Sequence, residues 1–175
     1  GHDVTGKWGL ILGGLNNQAK GKYSSVIGGS NHLNNGDYSL ISSGKANQLN
    51  GEHSIIGGGL GNMSQGEFNT VVGGARHKVE GQNNVILGGN KHRIKGNYTG
   101  IMSGDNHNAE GRYSGILGGE QHQIKGDYNI VSGGNTHVVL GRFSGVLGGL
   151  RNEVNGNESV IAGGEDNRIE GDSGA

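Results

Sequence analysis

An all-β roll of stacked parallel coils, fifteen residues to a coil, is the fold this sequence predicts, and three observations predict it. Glycine recurs at Gly6, Gly21, Gly36, Gly51, Gly66, Gly81, Gly96, Gly111, Gly126, Gly141, Gly156 and Gly171, every fifteenth residue without an insertion. With that glycine as position 1, position 9 is glycine in all eleven units, from Gly14 to Gly164, and position 6 is Ile or Val in all eleven, from Ile11 to Ile161. The eight aromatic residues, Trp8, Tyr23, Tyr38, Phe68, Tyr98, Tyr113, Tyr128 and Phe143, all stand at position 3. Helix-pair and strand-plus-helix repeats need periods of about 20 to 50 residues, so each unit must be two short strands joined by two tight turns.

The elements follow in order along the unit. One turn falls at position 1 and the other at positions 8 and 9, where glycine takes positive φ without steric cost. The β-branched column between them marks the first strand. Alternation then turns positions 4 and 6 inward, and in the second strand positions 12 and 14. Position 14 is mostly apolar, as in Leu49, Val79, Ile94, Ile124, Val139, Val154 and Ile169. Eleven coils at the interstrand distance of about 4.8 Å make a rod of about 50 Å. Residues 1–5 read as a tag or leader, 6–171 as the β-roll, and 172–175 as the C-terminal end of a fragment.

Composition excludes several alternatives. The chain has 175 residues, 40 of them glycine, with no proline and no cysteine. Glycine does not fall at every third position, which rules out collagen, and without cysteine there is neither a disulfide framework nor thiolate chemistry. A net charge of -1 offers no field for nucleic acid. No apolar run approaches the 18 or so residues of a spanning helix, so the sequence predicts no membrane insertion.

The two walls of the roll differ on their outer sides. Positions 11, 13 and 15 carry residues such as Arg76, Lys78, Glu80, Lys91, Arg93 and Lys95, a solvated face. Positions 5 and 7 stay apolar, and a sheet apolar on both faces is covered on both. The roll uses every residue, so the cover must be another copy. This predicts an obligate homo-oligomer with interface candidates Leu10, Leu12, Ile27, Leu40, Val72, Val85, Leu87, Met102, Leu117, Ile130 and Leu147.

Stretches such as "GKYSSVIGGSNHLNN" (21–35) and "GRYSGILGGEQHQIK" (111–125) resemble the head repeats of trimeric autotransporter adhesins, the YadA-like family, and most of all heads of the ubiquitous surface protein A type. The resemblance covers Gly6 to about Gly171. It implies a left-handed roll assembled as a homotrimer on the bacterial outer membrane, a virulence-associated adhesin whose rigid side binds host matrix proteins, glycans or cells. The usual period of that family is one residue shorter, and the chain shows no neck, stalk or anchor. A second reading is a structural or receptor-binding segment of a phage or viral tail fibre, which uses the same repeat type.

Position 12 is the column that most suggests chemistry: His77, His92, His107, His122 and His137 occupy it in five consecutive coils. One reading is a polar ladder satisfying backbone groups; the other is a transition-metal or anion site, since imidazole suits zinc, copper and nickel. No carboxylate recurs at a spacing that would orient the rings, so the ladder is the reading we carry forward, with no cofactor. Acid is expected to loosen coils 5 to 9 first by charging this column. The aromatic column is expected at the rim of the interface, interrupted at His53, Asn83 and Glu158. The serine-rich position 4 reads as inward hydrogen-bonding filler. No serine is accompanied by a recurring base, and the glycine pairs are followed by strands rather than helices, so no enzyme is expected.

Overall fold

The structure is a computed structural model and describes residues 1–173; the end assigned above to 172–175 thus lies partly outside the described residues. Among those residues the chain forms a parallel β-solenoid of two sheets, one of twelve strands and one of eleven, without a helix. Every strand is short, Leu40–Ile41 and Gln48–Leu49 for example, and pairs with the strand one coil away. The register offset is fifteen residues throughout, as in Thr70 beside Val85 and Lys78 beside Arg93. Asp3–Val4 already pairs with Gln18–Ala19, so the second sheet starts ahead of Gly6.

The interior is the pair of columns at positions 6 and 14. Residues such as Ile41, Leu49, Ile86, Ile94, Ile116 and Ile124 are fully buried there in one continuous cluster. Each buried Ile or Leu is worth about 1.5–3 kcal/mol. The alternation expected from the sequence therefore holds, and the polar positions 4 and 12 are buried with it.

Positive φ is placed differently from the expectation. Position 9 has it in every coil, at +80 to +105°. Position 8 does not, and position 1 has it only at Gly66 and Gly81. The other left-handed residues stand at positions 3 and 11, and they are mostly not glycine: Tyr23 (54°), Tyr113 (54°), Arg76 (57°) and Thr136 (57°) among them. The hydrogen bonds show why. In the strands each N–H donates toward the following coil, Leu10 to the Ser24 carbonyl for instance, but Tyr23 donates back to Lys7 and Asn31 back to Leu15. A left-handed residue at each turn reverses its amide, so that the corner is bonded to both neighbouring coils.

Position 1 needs glycine for another reason. A Cβ on Gly126 would overlap the carbonyls of Leu140 and Gly141, and the same holds down the column, because the coils touch backbone to backbone there. Position 8 mostly shows neither demand: beside Gly13, Gly73, Gly88, Gly133, Gly148 and Gly163 there is open space, whereas a Cβ on Gly58 or Gly118 would crowd the hydroxyl of Ser43 or Ser103 in the preceding coil.

These features expose a half-repeat not read from the sequence. Positions 1 to 7 and 9 to 15 run through the same order: turn glycine, any residue, left-handed residue, buried polar residue, outer residue, core residue, outer residue. Position 8 is the one residue left over.

Candidate functional site

Each half-coil builds a buried polar ladder. At position 12, the Asn62 amide donates to the carbonyls of Gly58 (3.0 Å) and Gly74 (3.2 Å), and its oxygen accepts the His77 N–H (3.0 Å). Histidine keeps the pattern. The Nδ1 of His77 accepts the His92 N–H at 3.1 Å, and the relay continues through His107, His122 and His137 to the Asn152 N–H. The rings stack 4.8–4.9 Å apart and almost parallel. With Nδ1 accepting, the neutral ring carries its proton on Nε2. That edge faces glycine carbonyls, such as Gly73 for His77, without a well-formed hydrogen bond, and a Cβ on Gly74 would strike it.

This geometry decides what the column can do. The rings are at most 1% exposed, their Nδ1 lone pairs are taken by backbone amides, and their Nε2 edges abut the glycine turn. A metal ion would need a lone pair that the ladder already uses. Burial pushes the ring pKa values down, to about 4 for His77 and about 3 for His92 and His122, where neighbouring histidines lower them further; Asp105 acts weakly in the opposite sense on His92 and His107. The expectation of acid sensitivity thus keeps its direction, with desolvation as the main cause rather than mutual repulsion.

Position 4 repeats the device at the other turn. Asn84 donates to the Gly96 carbonyl at 2.8 Å and accepts the Thr99 N–H at 3.0 Å; Thr99 donates in turn to the Gly111 carbonyl at 2.8 Å. The filler expected of this column is therefore a second ladder.

The position 3 aromatics form two stacks. Trp8, Tyr23, Tyr38, His53 and Phe68 make one, and Tyr98, Tyr113, Tyr128 and Phe143 the other. His53 does not interrupt the first, contrary to expectation, because an imidazole stacks as a phenyl ring does: its centroid is 5.1 Å from both neighbours. The break falls at Asn83. Rings 43–67% exposed stand along this edge, but most of their faces are turned to one another, which leaves mainly edges for a ligand.

The outer side of the first wall is open. Of the interface candidates, Leu10, Leu12, Ile27, Val72, Leu87, Met102, Leu117, Ile130 and Leu147 are exposed, Leu12 by 65%, and Leu40 and Val85 are half-buried. Leu15 and Leu60 at position 10, just past the turn glycine, are exposed as well; the sequence reading missed them, although a leucine beside charged residues in that column was the available signal. A shallow groove of about 450 Å³ at the opposite corner is lined by Glu80, Glu110 and Asp127 with Lys95 and Arg112.

Fold and ladders together define the class: a glycine-cornered parallel β-solenoid. The chain matches no protein-family model and no curated protein.

Proposed function

We propose that the chain is the head of a homotrimeric bacterial surface adhesin, a left-handed β-roll that packs its first wall against two other copies and shows its second wall to host matrix proteins or glycans. One observation carries the assembly: apolar residues of positions 5 and 7 are exposed or half-buried along the length of a single copy, while the second wall is mostly polar, with Leu33, Met63, Val138 and Leu140 among its apolar exceptions. Contiguous apolar surface of this extent marks an interaction site. The vacant space at six of the position 8 glycines supports it, since no contact within the chain asks for glycine at those six and a close partner would. The adhesin reading adds the family resemblance of the repeats.

Light scattering on the eluting protein tests the assembly. The expected particle has three times the 18.0 kDa chain mass, and Leu87→Glu with Leu117→Glu should yield monomers. A wild type that stays folded as a monomer at micromolar concentration would remove the proposal. The tail-fibre reading draws on the same wall and is favoured by the absence of any insertion in the repeat. Adhesion of trimer-coated beads to mammalian cells separates the two.

A further inference from the structure

Coils 5 and 6 hold an uneven share of the charge. Outside the second wall, positions 11, 13 and 15 are Arg76, Lys78 and Glu80 in one coil and Lys91, Arg93 and Lys95 in the next. The register sets Lys78 beside Arg93 and Glu80 beside Lys95, about 4.8 Å apart. Five cations and one carboxylate give this patch a net +4, in a chain whose net charge is -1.

At these positions in the other nine coils acids and bases balance, four of each. Arg151 is paired with both Glu165 and Asp166, and Arg168 with both Glu153 and Glu170. Within the patch Glu80 alone serves Lys78 at 2.5 Å and Arg93 at 3.6 Å. Arg76, Lys91 and Lys95 form no ion pair among the described residues, and all three are exposed.

We propose that this patch binds a linear sulfated polysaccharide. Two arginines offer forked donors to sulfate oxygens, and the neighbouring Gln65, Asn106 and Asn108 supply hydrogen bonds for sugar hydroxyls. Single-stranded nucleic acid would call for aromatic platforms, and every Trp, Tyr and Phe of the chain belongs to position 3, not to this face. An anionic membrane would call for apolar anchors beside the charge, and the outward positions of coils 5 and 6 on this wall have none. The proposal rests on the adhesin reading, for which it names the ligand class of the displayed wall.

Binding to immobilised heparin, measured as salt is raised, is the test. The wild type should bind at low salt and weaken at least about tenfold as screening rises. The variant Arg76→Gln/Lys91→Gln/Arg93→Gln should lose at least about tenfold at low salt. It should fold, because Gln121 already occupies position 11 and Gln48 and Gln123 position 13 in other coils. The control Lys45→Gln/Lys125→Gln/Arg142→Gln removes equal charge elsewhere and should bind as wild type. No binding by the wild type, equal loss in both variants, or equally tight binding of an oligothymidylate would overturn the proposal. Light scattering on the same samples keeps the two readings apart: an intact trimer without heparin binding removes the patch alone, and a monomer that binds heparin removes only the assembly.

Discussion

Ser64 sits in the position 14 core column between Leu49 and Val79, fully buried, and its hydroxyl has no hydrogen-bond partner. An unsatisfied buried polar atom costs about 1–3 kcal/mol, so Ser64→Val, which restores the side-chain type of the column, should raise stability by about 1 kcal/mol in urea unfolding. Asn34 occupies the same column with the opposite outcome: its amide donates to the Ser25 and Ser39 carbonyls and its oxygen accepts from the Ser39 hydroxyl. The glycines divide the same way. Gly126→Ala drives a methyl into the next coil's backbone and should cost about 3 kcal/mol or more, at the upper end of overpacking. Gly133→Ala meets open space within the chain and should leave the unfolding of one copy nearly unchanged. If position 8 is an assembly contact, the same substitution should weaken the oligomer, visible as a lower mass on dilution.

The fifteen-residue coil, its inward columns and its two unlike walls were legible in the sequence because burial imposes a period of two on each strand, and stacking repeats it. Val79, Ile94 and Ile124 lie where that pattern puts them. The turns at positions 1 and 9 were legible from their glycines, but the left-handed residues at positions 3 and 11 were not, because the property that selects them is the direction of an amide rather than side-chain chemistry. Tyr113, Arg76 and Thr136 share a left-handed backbone and have nothing else in common. Nor was the half-repeat, since Asn and His at position 12 mirror Ser, Thr and Asn at position 4 only through the bonds they form. Thr136 is the least comfortable of these residues: a β-branched side chain at φ of 57° is strained. Asn tolerates that region, as Asn31 and Asn106 do here. Thr136→Asn should therefore stabilise the ninth coil by roughly 0.5–1 kcal/mol, read as a higher melting temperature.

Across the whole molecule the histidine ladder divides the rod. Coils 5 to 9 carry imidazoles in series, with Asn17, His32, Asn47 and Asn62 before them and Asn152 and Asn167 after, so that one further imidazole, His32, stands alone between asparagines. Both residues accept the next coil's N–H at neutral pH, but asparagine also donates to two backbone carbonyls whereas the imidazole Nε2 is left without a well-formed hydrogen bond, and only the imidazole titrates. In the unfolded chain a histidine titrates near 6.5, whereas burial holds His77 at about 4 and His92 and His122 at about 3. Above pH 6.5 neither state binds the proton and the ladder contributes its full stability. Below 6.5 the unfolded chain takes up protons that the folded ladder refuses, so stability falls with pH until the folded values are reached. At pH 5 each of these three sites has given up about 2 kcal/mol, about 6 together, at about 1.4 kcal/mol per pH unit. That is a large part of an ordinary domain's stability of about 5–15 kcal/mol. Equilibrium urea unfolding should show a midpoint that drops steeply from pH 6.5 to 4. Hydrogen exchange should show coils 5 to 9 opening before coils 10 and 11, whose ladder residues are asparagine. Replacing His77, His92, His107, His122 and His137 together with asparagine should remove most of the slope, His32 keeping a remainder, while stability at pH 7.5 is at least that of wild type. A five-asparagine variant that remained as acid-labile as the parent would locate the sensitivity outside these five residues; His32, buried in the same column of the second coil with its pKa also lowered by burial, is the imidazole such a variant retains.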